Sequence, residues 1–362
     1  MTRNWLSYFS MSALALGLWA CDYIHDDSLK PCEYRLHFVY DYNMKFADAF
    51  QKEVSQVSLF LCDDKGNFIT KRQIEGDELK ANNVVLDVEP GTYYAVTWAG
   101  LSDTSYELPQ LTPGESTIED IKVRTLRNSD STQPNELTPL WHSLDTLVVT
   151  GKSQEEKEIS LAKNTNRLRF ILQDTEGYSM NVKDFTFEIT ADNGYMDYDN
   201  SLIDDPVITY KPYFIDNVNI ASEDPDVAIG DTLKQYVAVA EMNTMRLMNG
   251  ENYRLIVRHK DWKEDVLNIN LPSYLLLTKM EGHNISAQEY LDRQDEYSII
   301  FFLTPILCPD CPDPEEPEEP EEPDPEEPED PDGPEPPHPV VGYACYKIQV
   351  KDWVIRLNNG EL

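Results

Sequence analysis

Between residues 33 and 305 apolar side chains recur at every second position in short runs, the signature of strands with one buried face. Leu36, Phe38 and Tyr40 form one run, and Val57, Leu59 and Leu61, then Val84, Leu86 and Val88, then Val96 and Trp98 follow it. The second half repeats the pattern at Leu168, Phe170 and Leu172, at Phe185, Phe187 and Ile189, at Leu267, Ile269 and Leu271, and at Ile299, Phe301 and Leu303. Turn chemistry separates the runs. Asp64-Lys65-Gly66-Asn67 reads as a hairpin loop with Gly66 at positive φ, and Glu89-Pro90-Gly91-Thr92 fits a type II turn with Gly91 left-handed. Helical signals are brief, at 43–51 and 287–293, and too short to be stable alone. The pattern predicts an all-β fold of two tandem antiparallel sandwiches. The N-terminal one spans 33–152 and the C-terminal one 153–307 with 340–362, divided between Thr150-Gly151-Lys152-Ser153 and the strand at Ile159 and Leu161.

Residues 308–339 interrupt the second sandwich. From 309 to 339 there are 15 Asp or Glu, 13 Pro and no Lys or Arg. Proline at nearly every third position removes backbone donors and fixes φ, so neither helix nor sheet can form, and repelling carboxylates extend the chain further. At ~3.1 Å per residue of polyproline II this spacer could span on the order of 95 Å. Strand-like alternation then resumes at Tyr346, Ile348 and Val350, followed by the nearly continuous apolar stretch Trp353, Ile355 and Leu357. These strands are expected to pack back onto the second sandwich. The other reading makes them a strand donated to a neighbouring molecule.

The N-terminus changes the picture of where the protein works. Arg3 precedes an apolar run from Trp5 to Leu18, a secretory signal at 1–20 that is too short to span a bilayer. Leu18-Trp19-Ala20-Cys21 resembles the bacterial lipobox, in which the cysteine is acylated and begins the mature chain, although Trp19 is bulkier than the pattern favours. Two or more acyl chains, at ~0.8 kcal/mol per buried CH2, anchor a protein stably. Residues 21–32 would then be a tether. Asp22, Asp26 and Asp27 resemble the export signals that send lipoproteins of Bacteroidota to the outer leaflet of the outer membrane; a merely solvated tether is the alternative.

The net charge of −36 argues against a nucleic-acid surface. Six cysteines occur, at 21, 32, 62, 308, 311 and 345, and acylation of Cys21 leaves an odd number. A bridge among Cys308, Cys311 and Cys345 would clip the ends of the spacer together, whereas free thiols, or a C-x-x-C redox or zinc site without its usual context, are the alternatives. No nucleophile elbow, phosphate loop, dinucleotide fingerprint or zinc-protease motif is present, so no catalytic residue, metal or cofactor is expected. Asp197-Tyr198-Asp199-Asn200-Ser201 opens like a calcium loop but has Leu202 where glycine is needed, and reads as a turn.

Several phrases, taken in order, resemble the fimbrillin-associated anchor proteins of Bacteroidia, the lipidated minor fimbrial subunits. They are Cys21; Leu36 to Met44 with Ala47-Asp48-Ala49-Phe50; Asp64-Lys65-Gly66; Pro90-Gly91-Thr92-Tyr93 leading to Trp98-Ala99-Gly100; Thr165-Asn166-Arg167-Leu168; Arg246-Leu247-Met248; Glu289-Tyr290-Leu291-Asp292-Arg293; and Ile348 to Trp353. The spacer departs from that pattern. The resemblance implies two transthyretin-like sandwiches, fimbrial subunits as partners, and a role at the outer membrane fixing a fibre and regulating its length through strand complementation. The rival is a surface glycan-binding lipoprotein of a polysaccharide-uptake system, which needs exposed aromatic platforms. Trp98, Trp141, Trp262 and Trp353 read as core instead.

The spacer holds almost no apolar side chain to bury. Deleting 312–336 and rejoining the ends is therefore expected to leave the melting temperature nearly unchanged; a drop beyond roughly 5 °C, about 1–2 kcal/mol, would show that it packs on the fold.

Overall fold

The computed structural model describes residues 33–152, 154–220, 235–279, 284–308, 311, 336–350 and 353–356; Cys21 and Cys32, most of the spacer and Leu357 lie outside them. The first sandwich is one seven-stranded sheet in the order β3 (Phe68–Ile74), β2 (Val57–Cys62), β5 (Gly91–Ala99), β9 (Trp141–Val149), β10 (Glu155–Lys163), β1 (Tyr34–Tyr42), β4 (Val84–Leu86). β9 and β10 pair only at Ala162 with His142 and Lys163 with Trp141. About that corner the two halves bury a common cluster, with Leu36, Phe38, Ile159 and Leu161 from one and Leu59, Leu61, Ala95 and Leu147 from the other.

The second sandwich sets a six-stranded sheet against a five-stranded one. The first runs β15 (Phe214–Asn219), β16 (Tyr236–Met245), β11 (Thr165–Asp174), β19 (Glu296–Leu307), β20 (Val340–Val350), β21 (Trp353–Arg356). The second runs β18 (Asp265–Asn270), β17 (Arg254–His259), β12 (Phe185–Ala191), β14 (Ile208–Tyr210), β8 (Thr132–Gln133). Leu168, Phe170, Phe301 and Ile348 of one sheet and Phe187, Ile189, Leu255 and Leu267 of the other join a single buried cluster. β20 pairs antiparallel with β19 from Leu307–Val340 to Ile299–Val350, and β21 follows at the edge. The strands after the spacer thus belong to the second sheet, with β21 at its edge.

The junction differs from the expected one. Ile159 and Leu161 lie in the first core, and β10 runs parallel to β1, so the chain crosses between sandwiches at Asn164. Residues 150–152 are a capped turn: the Thr150 amide and hydroxyl and the Lys152 amide all donate to the Glu155 carboxylate, with Gly151 at φ 79°. Their small and polar residues serve β9 and β10, not a domain boundary. Nor is the division clean. β8 belongs by sequence to the first half but extends the second sandwich, and β6 (Tyr106–Glu107), β7 (Val123–Thr125) and β13 (Tyr195–Met196) form a small sheet drawn from both.

Two local expectations also shift. Gly66 takes φ 83°, as the hairpin requires. Gly91, however, is absent from the left-handed region; it opens β5 in register with Val149, and Tyr93 closes the preceding turn by donating from its hydroxyl to Glu89 O at 2.8 Å. Helix occupies Ala287–Arg293 as expected, but only Phe50–Glu53 of the 43–51 signal. Upstream, side chains take the backbone groups a helix would use: Asn43 Nδ2 donates to Tyr40 O and Ala47 O, and Asp48 Oδ1 accepts from the Tyr40 and Phe50 amides.

Every residue of β2 is buried. Val57, Leu59 and Leu61 enter the first core, whereas Phe60 and Cys62, with Val96 and Trp98 of β5, enter the cluster shared with the second sandwich. Gly100 is needed at the edge of this layer. Its φ is 77°, and a Cβ there would lie 2.0 Å from Pro139 O. Beside it, the His142 ring lies tilted against Trp98 at 4.5 Å between ring centres and its Nε2 lies 2.8 Å from Tyr198 O. Arg246 forks onto Asp292 at 2.7 and 2.8 Å and also donates to Asn200 O. Lys163 joins Glu53 at 3.2 Å to Asp295 at 2.5 Å.

Two outcomes test this account. Truncation after Val341 removes most of β20 and all of β21 and uncovers β19; the truncated chain is expected to aggregate or melt well below the full chain, measured by scattering and calorimetry. Burial pushes the His142 imidazole down to about 4, despite the opposing Tyr198 carbonyl. The unfolded chain, with an ordinary histidine near ~6.5, binds a proton that the folded chain refuses, so this contribution is present above that value and is lost as pH falls toward 4. Between roughly pH 6.5 and 4.5 this group should contribute about one proton to the slope of stability against pH, so His142→Gln should be shallower than the parent by about that amount while less stable at pH 7.

Candidate subunit-docking face

The outward faces of the second sandwich differ in chemistry. On the five-stranded sheet they carry an ionic lattice, in which Glu188 meets Lys211 and Arg258 and Arg258 reaches Asp265 at 2.8 Å. On the six-stranded sheet the outward positions hold an apolar patch of Ile171, Val237, Val239, Ile300 and Phe302, bordered by Arg167, Arg169, Gln173, Glu241 and Lys347. Sheet alternation would place polar residues there if solvent were the only neighbour. Val237 and Val239 form the floor of a groove of about 300 Å³, walled by Phe214, Val218 and Ile220 on one side and by Arg169, Gln173 and Ile300 on the other.

One end of this groove is fixed electrostatically. Arg169 Nε donates to Glu241 at 2.8 Å, and Arg167 and the Tyr213 hydroxyl reach its other oxygen at 3.0 Å. Burial alone would raise the Glu241 carboxyl, but these donors outweigh it and hold the group below its usual range. The wall strand β15 pairs only with β16 among the described residues, and Phe214, Ile215 and Val218 are 46%, 50% and 41% exposed. It carries neither Lys nor Pro, two common means of blunting an edge.

The residues singled out from sequence fall into three groups. Cys21, Leu357 and the side chains of Val350, Trp353 and Ile355 lie outside what the structure describes, though the backbone of the last three lies in β20 and β21. Ile348 is a core residue with no exposure. Cys308 and Cys311 are disulfide-bonded to each other, and Cys345 is not part of the bridge. Cys345 sits on β20 opposite Leu303, with its side chain buried, and burial pushes its thiol up to about 12. The spacer ends are instead joined by the backbone, Cys308 N donating to Pro339 O at 3.0 Å. Among the described residues no cluster of three metal-ligating side chains exists, and Asp197 to Ser201 form a turn with Asn200 at φ 70°.

Trp98 and Trp141 are buried and offer no platform, while Trp262 is half-buried against His259 at 3.9 Å. Sequence reading missed the docking face altogether. Its signal was present in Val237-Ala238-Val239-Ala240, an unbroken apolar run of the kind found in strands covered on both sides, and in the crowded apolar positions of β15.

Residues 29–359 match the family described as fimbrillin-A associated anchor proteins Mfa1 and Mfa2. A candidate polysaccharide-binding protein of Bacteroides thetaiotaomicron is similar at 31% identity and TM-score 0.71, over 91% of this chain and 99% of that one. A candidate adhesin of the same species is similar at 30% identity and TM-score 0.72, over 92% and 100%. The fimbrial anchor Mfa2 of Porphyromonas gingivalis shares the fold at TM-score 0.61 and 16% identity, over 90% and 99%. No curated protein matches the chain. Its matched length covers both sandwiches and the spacer alike, and this fimbria-associated protein belongs to the Mfa1 and Mfa2 family of fimbrillin-A associated anchor proteins.

Proposed function

We propose that the chain is a lipid-anchored base component or minor subunit of a surface fimbria, tethered to the outer membrane through Cys21, and that it holds its neighbour by strand addition. The observation that carries the reading is β15, which pairs only with β16 among the described residues and exposes Phe214, Ile215 and Val218 around Asp216, beside an apolar patch of the sheet. Exposed edge strands offer backbone hydrogen bonds for affinity and alternating side-chain pockets for register. The fibre subunit would add at β15. The closing strands β20 and β21 pair within their own chain, β20 between β19 and β21, and act as sheet elements and not as the donated strand.

A second property, glycan recognition, is favoured by the relative described as a candidate polysaccharide-binding protein. The interior positions of Trp98 and Trp141 weigh against a tryptophan platform as its means.

Replacing Cys21 with Ala in the producing cell should move the protein out of the outer-membrane fraction while leaving its melting temperature unchanged. Continued membrane retention would sink the anchoring reading. Placing charge on the edge with Val218→Lys should leave folding intact, because Val218 is already 41% exposed, and should prevent recovery of fibre subunits with the affinity-purified protein. Undiminished recovery would exclude β15 as the docking edge.

A further inference from the structure

Beyond the apolar groove, and meeting it at Gln173, lies a second depression of about 280 Å³ where β11 ends, with β20 across β19 from it. It is lined by Gln173, Asp174, Thr175, Gln235, Tyr346 and Lys347, with Phe302 at its base. Its chemistry is unlike that of the valine-floored groove. Tyr346 is 53% exposed, although it sits on a strand of the folded sheet. Lys347 Nζ lies 3.6 Å from the centre of the Phe302 ring, which keeps the ammonium at the wall of the depression.

Asp174 is the unusual member. The residue is only 2% exposed. Its Oδ1 accepts the amides of Glu176 at 2.7 Å and Tyr178 at 3.3 Å, and Gln235 Nε2 donates to its backbone carbonyl at 3.2 Å. Oδ2 is buried and has no hydrogen-bond partner among the described residues. Burial raises this carboxyl, against the pull of the neighbouring amides.

We propose that this depression is a saccharide subsite that takes a pyranose ring, stacking the ring's apolar face on Tyr346, pairing its hydroxyls with Gln173 and Gln235, and drawing a uronic carboxylate, where present, to Lys347. An aromatic ring beside several amide and carboxylate groups suits a ligand with one apolar face and a rim of hydroxyls. A purely apolar ligand would leave the polar lining unpaired, and a basic peptide side chain would meet the Lys347 ammonium. The site deepens the glycan reading and is separate from the fimbrial one: its failure leaves the Cys21 and Val218 experiments untouched.

The test uses the full chain with maltotriose as the neutral probe and trigalacturonic acid as the acidic probe, followed by calorimetry and saturation-transfer NMR. At least one trisaccharide should bind saturably. Tyr346→Ala should weaken it at least tenfold, about 1.4 kcal/mol, and Tyr346→Phe should retain it because the ring is kept. Gln173→Ala should also weaken binding, without altering the melting temperature. Lys347→Gln should erase any preference for the acidic probe. Absence of binding by both probes at about 10 mM, equal binding by Tyr346→Ala, or displacement by a blocked lysine peptide but not by the trisaccharides would overturn the assignment.

Discussion

The layer formed by β2 and β5 is covered on both sides, and the rest of the molecule is arranged around that condition. Strands covered on both faces cannot alternate apolar with polar, which is why Val57 to Cys62 is apolar at every position but Ser58. One face closes the first sandwich. The other must be roofed by something else, and the roof is the excursion from Leu101 to Leu140, which carries β8 and β7 across to the second half. The two sandwiches are therefore joined by a packed interior as well as by the crossing at Asn164.

The phrases that carried the resemblance converge on that joint. Gly100 lies against Pro139, Asn166 Nδ2 donates to Met245 O, Arg246 forks onto Asp292, and the Arg293 guanidinium covers the Tyr42 ring at 4.0 Å. Each is a position where geometry leaves little choice of residue. A left-handed glycine under a carbonyl and a bidentate ion pair each fix local geometry within one half, and the Arg293 guanidinium over Tyr42 crosses between the halves. Removing either member of the Arg246 and Asp292 pair would leave a charge largely out of water.

Most strands and both sandwiches were legible because period-two alternation is a direct imprint of a sheet with one wet face. Reading failed where a second physical demand overrode that period. The turn at 150–152 looked like a boundary since its glycine and polar residues suit either role, and only the Glu155 carboxylate collecting its amides distinguishes them. The helix expected from residue 43 was pre-empted by Asn43 and Asp48, whose side chains take local backbone groups. The outward apolar face was hidden for a different reason. Alternation reports that a face is apolar, but not whether the molecule's own chain covers it, and for Ile171, Ile300 and Phe302 the described residues leave them half-buried.

The acidic segment leaves the second sandwich at Cys308 and re-enters at Pro339, and these two residues are bonded to each other. A chain whose ends meet adds no distance between the bodies it connects, however far it could stretch if pulled straight. It is an appendage on one sheet edge and not a strut between domains. Loop closure grows only with the logarithm of length, each doubling adding about 0.6 kcal/mol, so repeats of the Glu-Glu-Pro unit can be gained or lost at almost no thermodynamic penalty to the sheet that carries them. A change in the length of this acidic segment would thus leave the strands on either side in register.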